Sequence, residues 1–298
     1  MAFKSGYAAL VGRPNVGKST LMNALLDRKV SIVTPKPETT RTNVRGIYNC
    51  PQGQIVFLDT PGLTVPHEKL SRQMVQQAHG AAVDADVVLW LVDATKLDKK
   101  DEATEKWLKA CGRPVFLVIN KTDAITKPAL WDYLNALDTG WLAEVVPVSA
   151  LQRQNLSELV KAIIDHLPEG PAFYQADTTT DAPAEFMLAE IIREKIMFNT
   201  QHEVPHAVAV TIDELSQEDG LTRVSATVLC EKESQKGILI GRQGQMLKKI
   251  ATQSRRDIAA YMGTKVFLEI FVRVEPDWRN RKAQLAAPGL GTEEKDDG

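Results

Sequence analysis

Residues 12–19, GRPNVGKS, have the residue types and the spacing of a phosphate-binding loop. The glycines let the backbone wrap closely around phosphate oxygens, and the helix that should follow adds partial positive charge at its amino terminus. We expect Lys18 to reach the β- and γ-phosphates of a nucleotide and the Ser19 hydroxyl to bind Mg²⁺. The segment therefore predicts a nucleoside triphosphate site.

A second motif, NKTD at residues 120–123, directly follows the apolar run VFLVI and selects the base. Asp123 can accept hydrogen bonds from both N1–H and the exocyclic amine of guanine, whereas adenine offers no such pair of donors. A site built on that pairing would leave a buried carboxylate unsatisfied with ATP, so discrimination should be large. Ser149 and Ala150, at the end of the next predicted strand, should supply a backbone contact to O6. The motif therefore predicts GTP and GDP as ligands.

Two further segments are expected to surround the γ-phosphate. Residues 59–62, DTPG, end an apolar strand, where Asp59 can hold Mg²⁺ through water and the Gly62 amide can face the γ-phosphate. The sequence ETTRT lies between the first helix and the second strand, where a threonine is needed to complete the Mg²⁺ shell only when the γ-phosphate is present. We assign this role to Thr40 and keep its neighbours Thr39 and Thr42 as alternatives. The segment would then act as a switch.

These motifs need a scaffold that brings them to one edge, and residues 6–167 have the pattern of a parallel sheet wrapped by helices. Short apolar, β-branched runs predict strands at residues 7–11, 47–48, 55–58, 87–92, 115–119 and 145–148. Longer stretches predict helices at residues 18–26, 68–82, 102–111, 128–137 and 156–166. The near-continuous apolar character of VVLWLV and VFLVI indicates strands that helices cover on both faces. We therefore predict an α/β P-loop GTPase domain.

The motifs resemble those of the translation-factor-related GTPases over the whole of residues 6–167, with five of them in the same chain order: GRPNVGKS, ETTRT, DTPG, NKTD and the pair Ser149-Ala150. In the Ras-like branch a glutamine follows the DxxG glycine and orients the attacking water, but Leu63 stands there in this chain and cannot do so. The resemblance therefore implies slow intrinsic hydrolysis. Among GTPases with an apolar residue at that position, a P-loop asparagine that matches Asn15 is associated with a K⁺ ion that replaces an arginine finger. We carry this over to Asn15 as a hypothesis.

The motifs and the resemblance together define the predicted nucleotide site. The residues predicted to act in hydrolysis are Lys18, Thr40, Gly62 and Asn15. The predicted Mg²⁺ ligands are Ser19, Thr40 and Asp59. The residues predicted to contact the nucleotide are Gly12, Arg13, Pro14, Asn15, Val16, Gly17, Lys18, Ser19, Asp59, Thr60, Pro61, Gly62, Leu63, Asn120, Lys121, Thr122, Asp123, Ser149 and Ala150.

Beyond residue 184 the pattern changes to one that indicates binding of single-stranded RNA. The predicted order is a helix at residues 185–198, two strands around 208–212 and 224–228, a helix that begins near Gly237, a glycine turn at 241–244, a helix to 261 and a strand at 266–272. The turn, GRQG, has the setting of a KH module, in which a GxxG turn clamps the backbone of about four nucleotides. The element order is similar to the α+β type II KH arrangement. The alternative is a helix-turn-helix bend in an unrelated α+β domain.

Local charge supports RNA binding. The whole chain has a net charge of −2, but residues 232–282 contain 12 basic and 5 acidic residues, whereas residues 175–220 contain 2 basic and 10 acidic residues. A basic block on the GxxG side is the electrostatic pattern expected for phosphate binding. Trp278, beside Arg279 and Arg281, either stacks on a base or packs against its own domain. The predicted RNA-binding residues are Lys236, Gly237, Ile240, Gly241, Arg242, Gln243, Gly244, Lys248, Lys249 and Arg279.

A proline- and threonine-rich stretch separates these two regions. We therefore predict a GTP-binding domain at residues 1–170, a linker at 171–184, a KH domain at 185–282 and a mobile tail at 283–298. One P-loop GTPase domain followed by one KH module resembles the Era family of bacterial ribosome-assembly GTPases over essentially the full length. The phrases that carry this likeness include GRPNVGKSTL, DTPG, NKTD, EIIREKI, VPHAVAV and GILIGRQGQMLKKI.

The resemblance to the Era family implies a partner and a process. The GTP-bound protein is expected to bind the single-stranded 3′ end of 16S rRNA and to promote maturation of the 30S subunit. It is expected in the cytoplasm, sometimes peripherally on the cytoplasmic side of the inner membrane. We also expect a monomer.

The cysteine content and the lengths of the apolar runs argue against three kinds of structure: a disulfide framework, a zinc site and a membrane-spanning helix. The chain has three well separated cysteines and no CxxC, which argues against a disulfide framework or a zinc site and favours a reducing cytoplasm. Its longest apolar run, residues 87–92, is far below the roughly 20 residues that a membrane helix needs. Two alternative functions remain: a P-loop kinase or metabolic ATPase, which NKTD opposes, and a membrane-associated signalling GTPase whose second domain binds protein or lipid.

Overall fold

The computed structural model describes residues 2–36, 39–63, 69–96, 101–201, 204–276 and 278. The chain divides into two compact units. The first comprises Met1–Ser31 and Asn43–Asp181, and the second comprises Ile32–Thr42 and Ala182–Gly298.

Within the described residues, the first unit is built on a six-stranded sheet. Its strands are β1 (Lys4–Val11), β2 (Val44–Cys50), β3 (Gly53–Asp59), β4 (Val87–Asp93), β5 (Val115–Asn120) and β6 (Glu144–Pro147). Its helices are α1 (Lys18–Leu26), α2 (Lys69–Asp84), α3 (Glu102–Ala110), α4 (Lys127–Ala136) and α5 (Leu156–His166). The strand order is β2-β3-β1-β4-β5-β6, with β2 antiparallel to β3 and the other pairs in the described sheet parallel. The predicted α/β fold is confirmed.

The parallel strands end at a common edge of this sheet. Strand β3 runs beside β1, with Asp59 opposite Leu10, and β4 runs beside β5, with Asp93 opposite Asn120. Strands β3 and β5 are buried along their whole lengths, as expected for strands covered on both faces. Polar residues at these strand ends therefore meet in one crevice, where ligands bind in sheets of this kind.

Part of the predicted linker, residues 171–184, covers the outer edge of β2. The Ile47 N–H donates to the Thr179 carbonyl at 2.9 Å, and Arg45 forms an ion pair with Asp181 at 2.8 Å. These contacts satisfy backbone groups that an edge strand would otherwise expose. They order the linker as far as Asp181, where the first unit ends.

The second unit has the element order predicted for a KH domain. Its elements are α6 (Ala184–Asn199), β7 (Ala209–Glu218), β8 (Leu221–Cys230), α7 (Glu233–Ile240), α8 (Gln245–Met262) and β9 (Lys265–Val274). Strand β8 lies between β7, which is antiparallel to it, and β9, which is parallel. Alternate residues of β8 are buried with apolar residues of α6 and α8, so the helices pack on one face of the sheet. The predicted α+β KH domain is confirmed.

The switch segment, which we define as residues 32–42, belongs to the second unit, although the sequence placed it within a domain at residues 1–170. The Arg41 guanidinium is buried and donates to the Val208 carbonyl at 2.7 Å, and Arg193 of α6 donates to the Thr39 carbonyl. These hydrogen bonds join the segment to α6 and to the start of β7. The grouping therefore depends on long-range contacts that sequence position does not reveal.

Several predicted boundaries shift. Helix α7 begins at Glu233 rather than near Gly237, and Gln235 in its first turn accepts a hydrogen bond from the Lys232 N–H at 3.2 Å. The predicted start of the second helix, Glu68, and the predicted tail at residues 283–298 lie outside the described residues. Among the helices that are described, none combines the length and the apolar character needed to cross a membrane.

Candidate nucleotide and RNA sites

The phosphate loop lies between β1 and α1, as the sequence predicted. Its backbone adopts positive φ at Gly12 (145°) and Gly17 (99°), a region that favours glycine. A Cβ atom on Gly12 would lie 2.4 Å from the Leu91 carbonyl oxygen, and one on Gly17 would lie 2.3 Å from Nδ2 of Asn120. The loop is therefore wrapped too tightly for side chains at either glycine.

Two side chains of the NKTD motif, which was predicted to select the base, donate hydrogen bonds to carbonyl groups of the phosphate loop. Asn120 Nδ2 donates to the Val16 carbonyl at 2.9 Å, and Lys121 Nζ donates to the Asn15 carbonyl at 2.7 Å. Because the C=O and N–H of a trans peptide point in opposite directions, these bonds turn the next amides, those of Val16 and Gly17, to the other side. Amides arranged in this way form a phosphate-binding cradle.

Lys18 is a buried cation in the floor of this cradle. Its side chain is 6% exposed, and Nζ donates to the Gly12 carbonyl at 3.0 Å and to the Arg13 carbonyl at 3.1 Å. Burial lowers the pKa of Lys18 from 10.5 to about 8, although the nearby Asp59 carboxylate acts in the opposite direction. A desolvated ammonium group in this position fits a phosphate ligand.

The predicted Mg²⁺ ligands Ser19 and Asp59 lie together. Asp59 is fully buried, and its Oδ2 accepts hydrogen bonds from Ser19 Oγ at 2.6 Å and from Ser31 Oγ at 2.7 Å. Carboxylate and hydroxyl oxygens are the hard ligands that Mg²⁺ prefers, so these residues fit the ion. Ser31 was not predicted. Thr40 is buried within the switch segment of the second unit.

The DTPG segment packs on the phosphate loop. The Leu63 N–H donates to the Gly12 carbonyl at 3.0 Å, and a Cβ on Gly62 would lie 2.8 Å from Cγ of Pro14. The Leu63 side chain packs against the apolar core of the first unit. Gly62 therefore lies beside the predicted phosphate site, and Leu63 offers packing rather than a polar group.

The predicted base-contacting residues are also close together. Asp123 is exposed rather than buried as the sequence argument supposed, and its Oδ1 accepts a hydrogen bond from Ser149 Oγ. The Ala150 N–H donates to Asn120 Oδ1 at 3.0 Å. An exposed carboxylate that is held in place by a hydroxyl can accept the paired donors of guanine.

Sequence reasoning missed Asp93, which lies at the end of β4. Its buried carboxylate accepts from Lys121 Nζ at 2.7 Å and from both the N–H and the hydroxyl of Thr95, at 3.0 and 2.7 Å. Burial alone would raise the pKa of Asp93, but the hydrogen bonds from Lys121 and Thr95 outweigh it and hold this pKa below its ordinary value. The only signal in the sequence was an acidic residue that ends an apolar strand.

In the second unit, the GRQG turn joins α7 to α8. Gly241 and Gly244 have φ of 71° and 75°, and a Cβ on Gly241 would lie 2.6 Å from Cβ of Met246. The turn itself therefore requires glycine at Gly241. The side chains of Arg242, Lys248 and Lys249 are exposed. They place positive charge on the turn and near the start of α8.

Trp278 packs against its own domain, and the alternative that it stacks on a base is wrong. The residue is fully buried with Ala209 and Leu229, and its Nε1 donates to the Ala207 carbonyl at 3.0 Å. An indole in this environment cannot face RNA. Its neighbour Arg279, predicted to bind RNA, lies outside the described residues.

Comparison with known families and proteins agrees with this two-part organisation. Residues 7–121 match the family described as 50S ribosome-binding GTPase, and residues 203–279 match the KH domain family. GTPase Era of Ruminiclostridium cellulolyticum is 41% identical over 298 residues, which cover 98% of this chain and 99% of the relative. GTPase Era of Geotalea daltonii is 45% identical over 286 residues, which cover 95% and 96% of the two chains.

Two solved structures share the whole fold. One is a tyrosine-to-alanine variant of Aquifex aeolicus Era bound to GDP and tetrafluoroaluminate, with a TM-score of 0.93 and 40% identity. The other is Era in complex with MgGDPNP and nucleotides 1506–1542 of 16S ribosomal RNA, with the same TM-score and identity. Each match covers 97% of this chain and 100% of the other.

Proposed function

The chain belongs to the family of GTPase Era and is a GTPase, and from this premise we propose that it is a GTP-driven switch that binds the 3′ end of 16S rRNA. We further propose that this binding promotes maturation of the 30S subunit. The observation that carries the proposal is that one chain joins a P-loop, held by the guanine-selecting NKTD motif, to a KH turn with exposed basic residues.

In the nucleotide site, the residues have separate roles. Asp123 accepts the guanine donors, the amides of Val16 and Gly17 bind phosphate oxygens, and Lys18 neutralises phosphate charge as the bond to the γ-phosphate breaks. Ser19 and Asp59 would hold Mg²⁺, which when bound neutralises charge on the β- and γ-phosphates. Thr40 would complete that shell with GTP but not with GDP, so the switch segment would report which nucleotide is present.

Hydrolysis without a partner is expected to be slow. Leu63 packs in the core and carries no group that could orient a water molecule. We propose that Asn15 holds a K⁺ ion, which would supply the positive charge that an arginine finger supplies in other GTPases. Turnover should then be faster in K⁺ than in Na⁺ buffer, and equal rates would contradict this role.

In the KH unit, the GRQG turn is proposed to clamp the RNA backbone. The tight left-handed turn at Gly241 and Gly244 exposes backbone, and Arg242, Lys248 and Lys249 add positive charge beside it. The relative whose structure contains 16S rRNA nucleotides 1506–1542 supports the 3′ end of this RNA as the target. The KH match also favours RNA over the alternative of a membrane-associated GTPase whose second domain binds protein or lipid.

The test is RNA binding by Arg242→Glu and Gly241→Asp in the presence of a GTP analogue. Each variant should weaken binding of a single-stranded 16S 3′ oligonucleotide about tenfold or more, with GTP affinity unchanged, because like charge repels phosphates at a clamp of about four nucleotides. Lys106→Glu is the matched control, since it reverses one exposed charge on α3 of the first unit. Unchanged RNA affinity in both KH variants would contradict the proposal.

A further inference from the structure

Asp93 connects the guanine-selecting motif to the phosphate loop through one side chain. Its Oδ2 accepts from Lys121 Nζ at 2.7 Å, and the same ammonium group donates to the Asn15 carbonyl at 2.7 Å. Asp93 is itself fixed, because its other carboxylate oxygen accepts from the N–H and the hydroxyl of Thr95. The result is a rigid path from the end of β4 to Asn15.

The carboxylate is what holds this lysine in place. The Lys121 side chain is 37% exposed, whereas that of Asp93 is 5% exposed, so water can reach the ammonium group but hardly reaches its partner. A lysine with four rotatable bonds has many solvated alternatives when its ion pair is removed. A charge-assisted hydrogen bond to an ordered carboxylate selects the one conformation that reaches Asn15.

The position of Lys121 determines the orientation of a backbone amide that is proposed to bind phosphate. The Lys121 bond fixes the direction of the Asn15 carbonyl, and the trans peptide then fixes the Val16 N–H on the opposite side. Asn15 also has a positive φ of 63°, a conformation that costs free energy in a residue with a side chain. Asparagine adopts this conformation more readily than most residues, and the bond from Lys121 adds an external anchor that keeps the peptide in one orientation.

We propose that Asp93 is a positioning residue for nucleotide binding, which acts through Lys121 to orient the phosphate-facing amide of Val16. The inference rests on the nucleotide site proposed above. It assigns to the end of β4 a role that the nucleotide-binding motifs do not include.

The test is a double-mutant cycle on GTP hydrolysis by the full chain, using Asp93→Asn, Lys121→Met and the double variant. In Na⁺ buffer, where the K⁺ ion proposed for Asn15 is absent, Asp93→Asn should raise KM about tenfold while kcat changes less than about threefold, because Lys18 and Gly62 keep their contacts. The same substitution in the Lys121→Met background should have little further effect, because the path is already broken. Asp86→Asn is the matched control: it lies before β4, at the opposite end of the strand, and accepts a hydrogen bond from the Tyr7 N–H.

The outcomes separate positioning from mere stability. Melting temperature of the nucleotide-free proteins identifies a folding defect, and Asp93→Ala, which also removes the carboxylate, replaces Asp93→Asn in the cycle if that variant does not fold. Losses that add in the double variant, or a KM within twofold of the parent, would overturn the inference. A parent protein without GTPase activity would instead refute the nucleotide site itself.

Discussion

Lys18 should make nucleotide affinity depend on pH. Its pKa is about 8 in the empty site because burial disfavours the ammonium form, whereas bound phosphates favour that form and should raise the pKa. Affinity for GDP should therefore be highest below pH 8 and should fall as the pH rises above it. Calorimetry at pH 8 in buffers of different ionisation enthalpy should detect uptake of about half a proton on binding.

The lowered pKa of Lys18 has the opposite effect on the stability of the nucleotide-free protein, which should increase with pH. The unfolded chain binds this proton up to pH 10.5 and the folded chain only to about 8, so the free energy of unfolding should rise with pH between these values. Lys18→Arg is the control, because a guanidinium group stays charged throughout this range. GDP affinity that is constant from pH 7 to 9 would show that Lys18 does not titrate in the site.

Among individual residues, the sequence predicted those that belong to motifs and missed those that hold motif residues in place. Lys18 and Asp123 were identified because their spacing within a motif carries the chemistry. Asp93 and Ser31 have no such local pattern, and their roles come from strand register and from the fold of a loop. A single acidic residue after a strand becomes meaningful only when the neighbouring strand brings Lys121 beside it.

Among the structural elements, the switch segment is held in place by several hydrogen bonds to the rest of the second unit. Thr40 lies between two anchored residues, because Arg193 binds the Thr39 carbonyl and Arg41 binds the Val208 carbonyl. The segment has a further bond to α6, from the Val33 N–H to Glu194 Oε1 at 3.1 Å. The proposed binding of Mg²⁺ by Thr40 should therefore depend on how firmly α6 holds the segment.

Weakening this hold should favour GTP over GDP. Arg193→Met removes the bond to Thr39, so the affinity for a non-hydrolysable GTP analogue should rise about tenfold relative to that for GDP, as expected for one charge-assisted hydrogen bond. Equilibrium titration with the two fluorescent nucleotides gives this ratio. Arg256→Met is the control, since Arg256 is an exposed arginine of α8 in the same unit. An unchanged ratio would mean that the segment does not limit GTP binding.

Element boundaries were predictable where apolar periodicity is strong and not elsewhere. Strand β4 was predicted to within one residue, because its apolar run is continuous. Only residues 47–48 of β2 were predicted, since VRGIYNC lacks alternation and the strand depends on β3 and on the linker that covers its edge. The first turn of α7 was not predicted because its residues are polar and show no apolar periodicity.

At the scale of the whole molecule, charge is segregated along the chain. The net charge of −2 combines an excess of seven basic residues in 232–282 with an excess of eight acidic residues in 175–220. A chain that is neutral overall attracts RNA weakly from a distance, so binding should depend on a few contacts on the basic part of the KH domain. The number of those contacts can be measured from the effect of salt.

We therefore expect a shallow salt dependence for RNA binding in the GTP-analogue state. With three to five phosphate contacts, the slope of log K against log salt concentration should be roughly −2 to −3.5 for single-stranded RNA. Replacing both Lys248 and Lys249 by glutamine should reduce the magnitude of that slope by roughly 1.4, whereas Lys106→Gln in the first unit should leave it unchanged. A slope that is unaffected by the double replacement, even with weaker binding, would mean that these two lysines do not contact phosphate and that the RNA lies elsewhere on the domain.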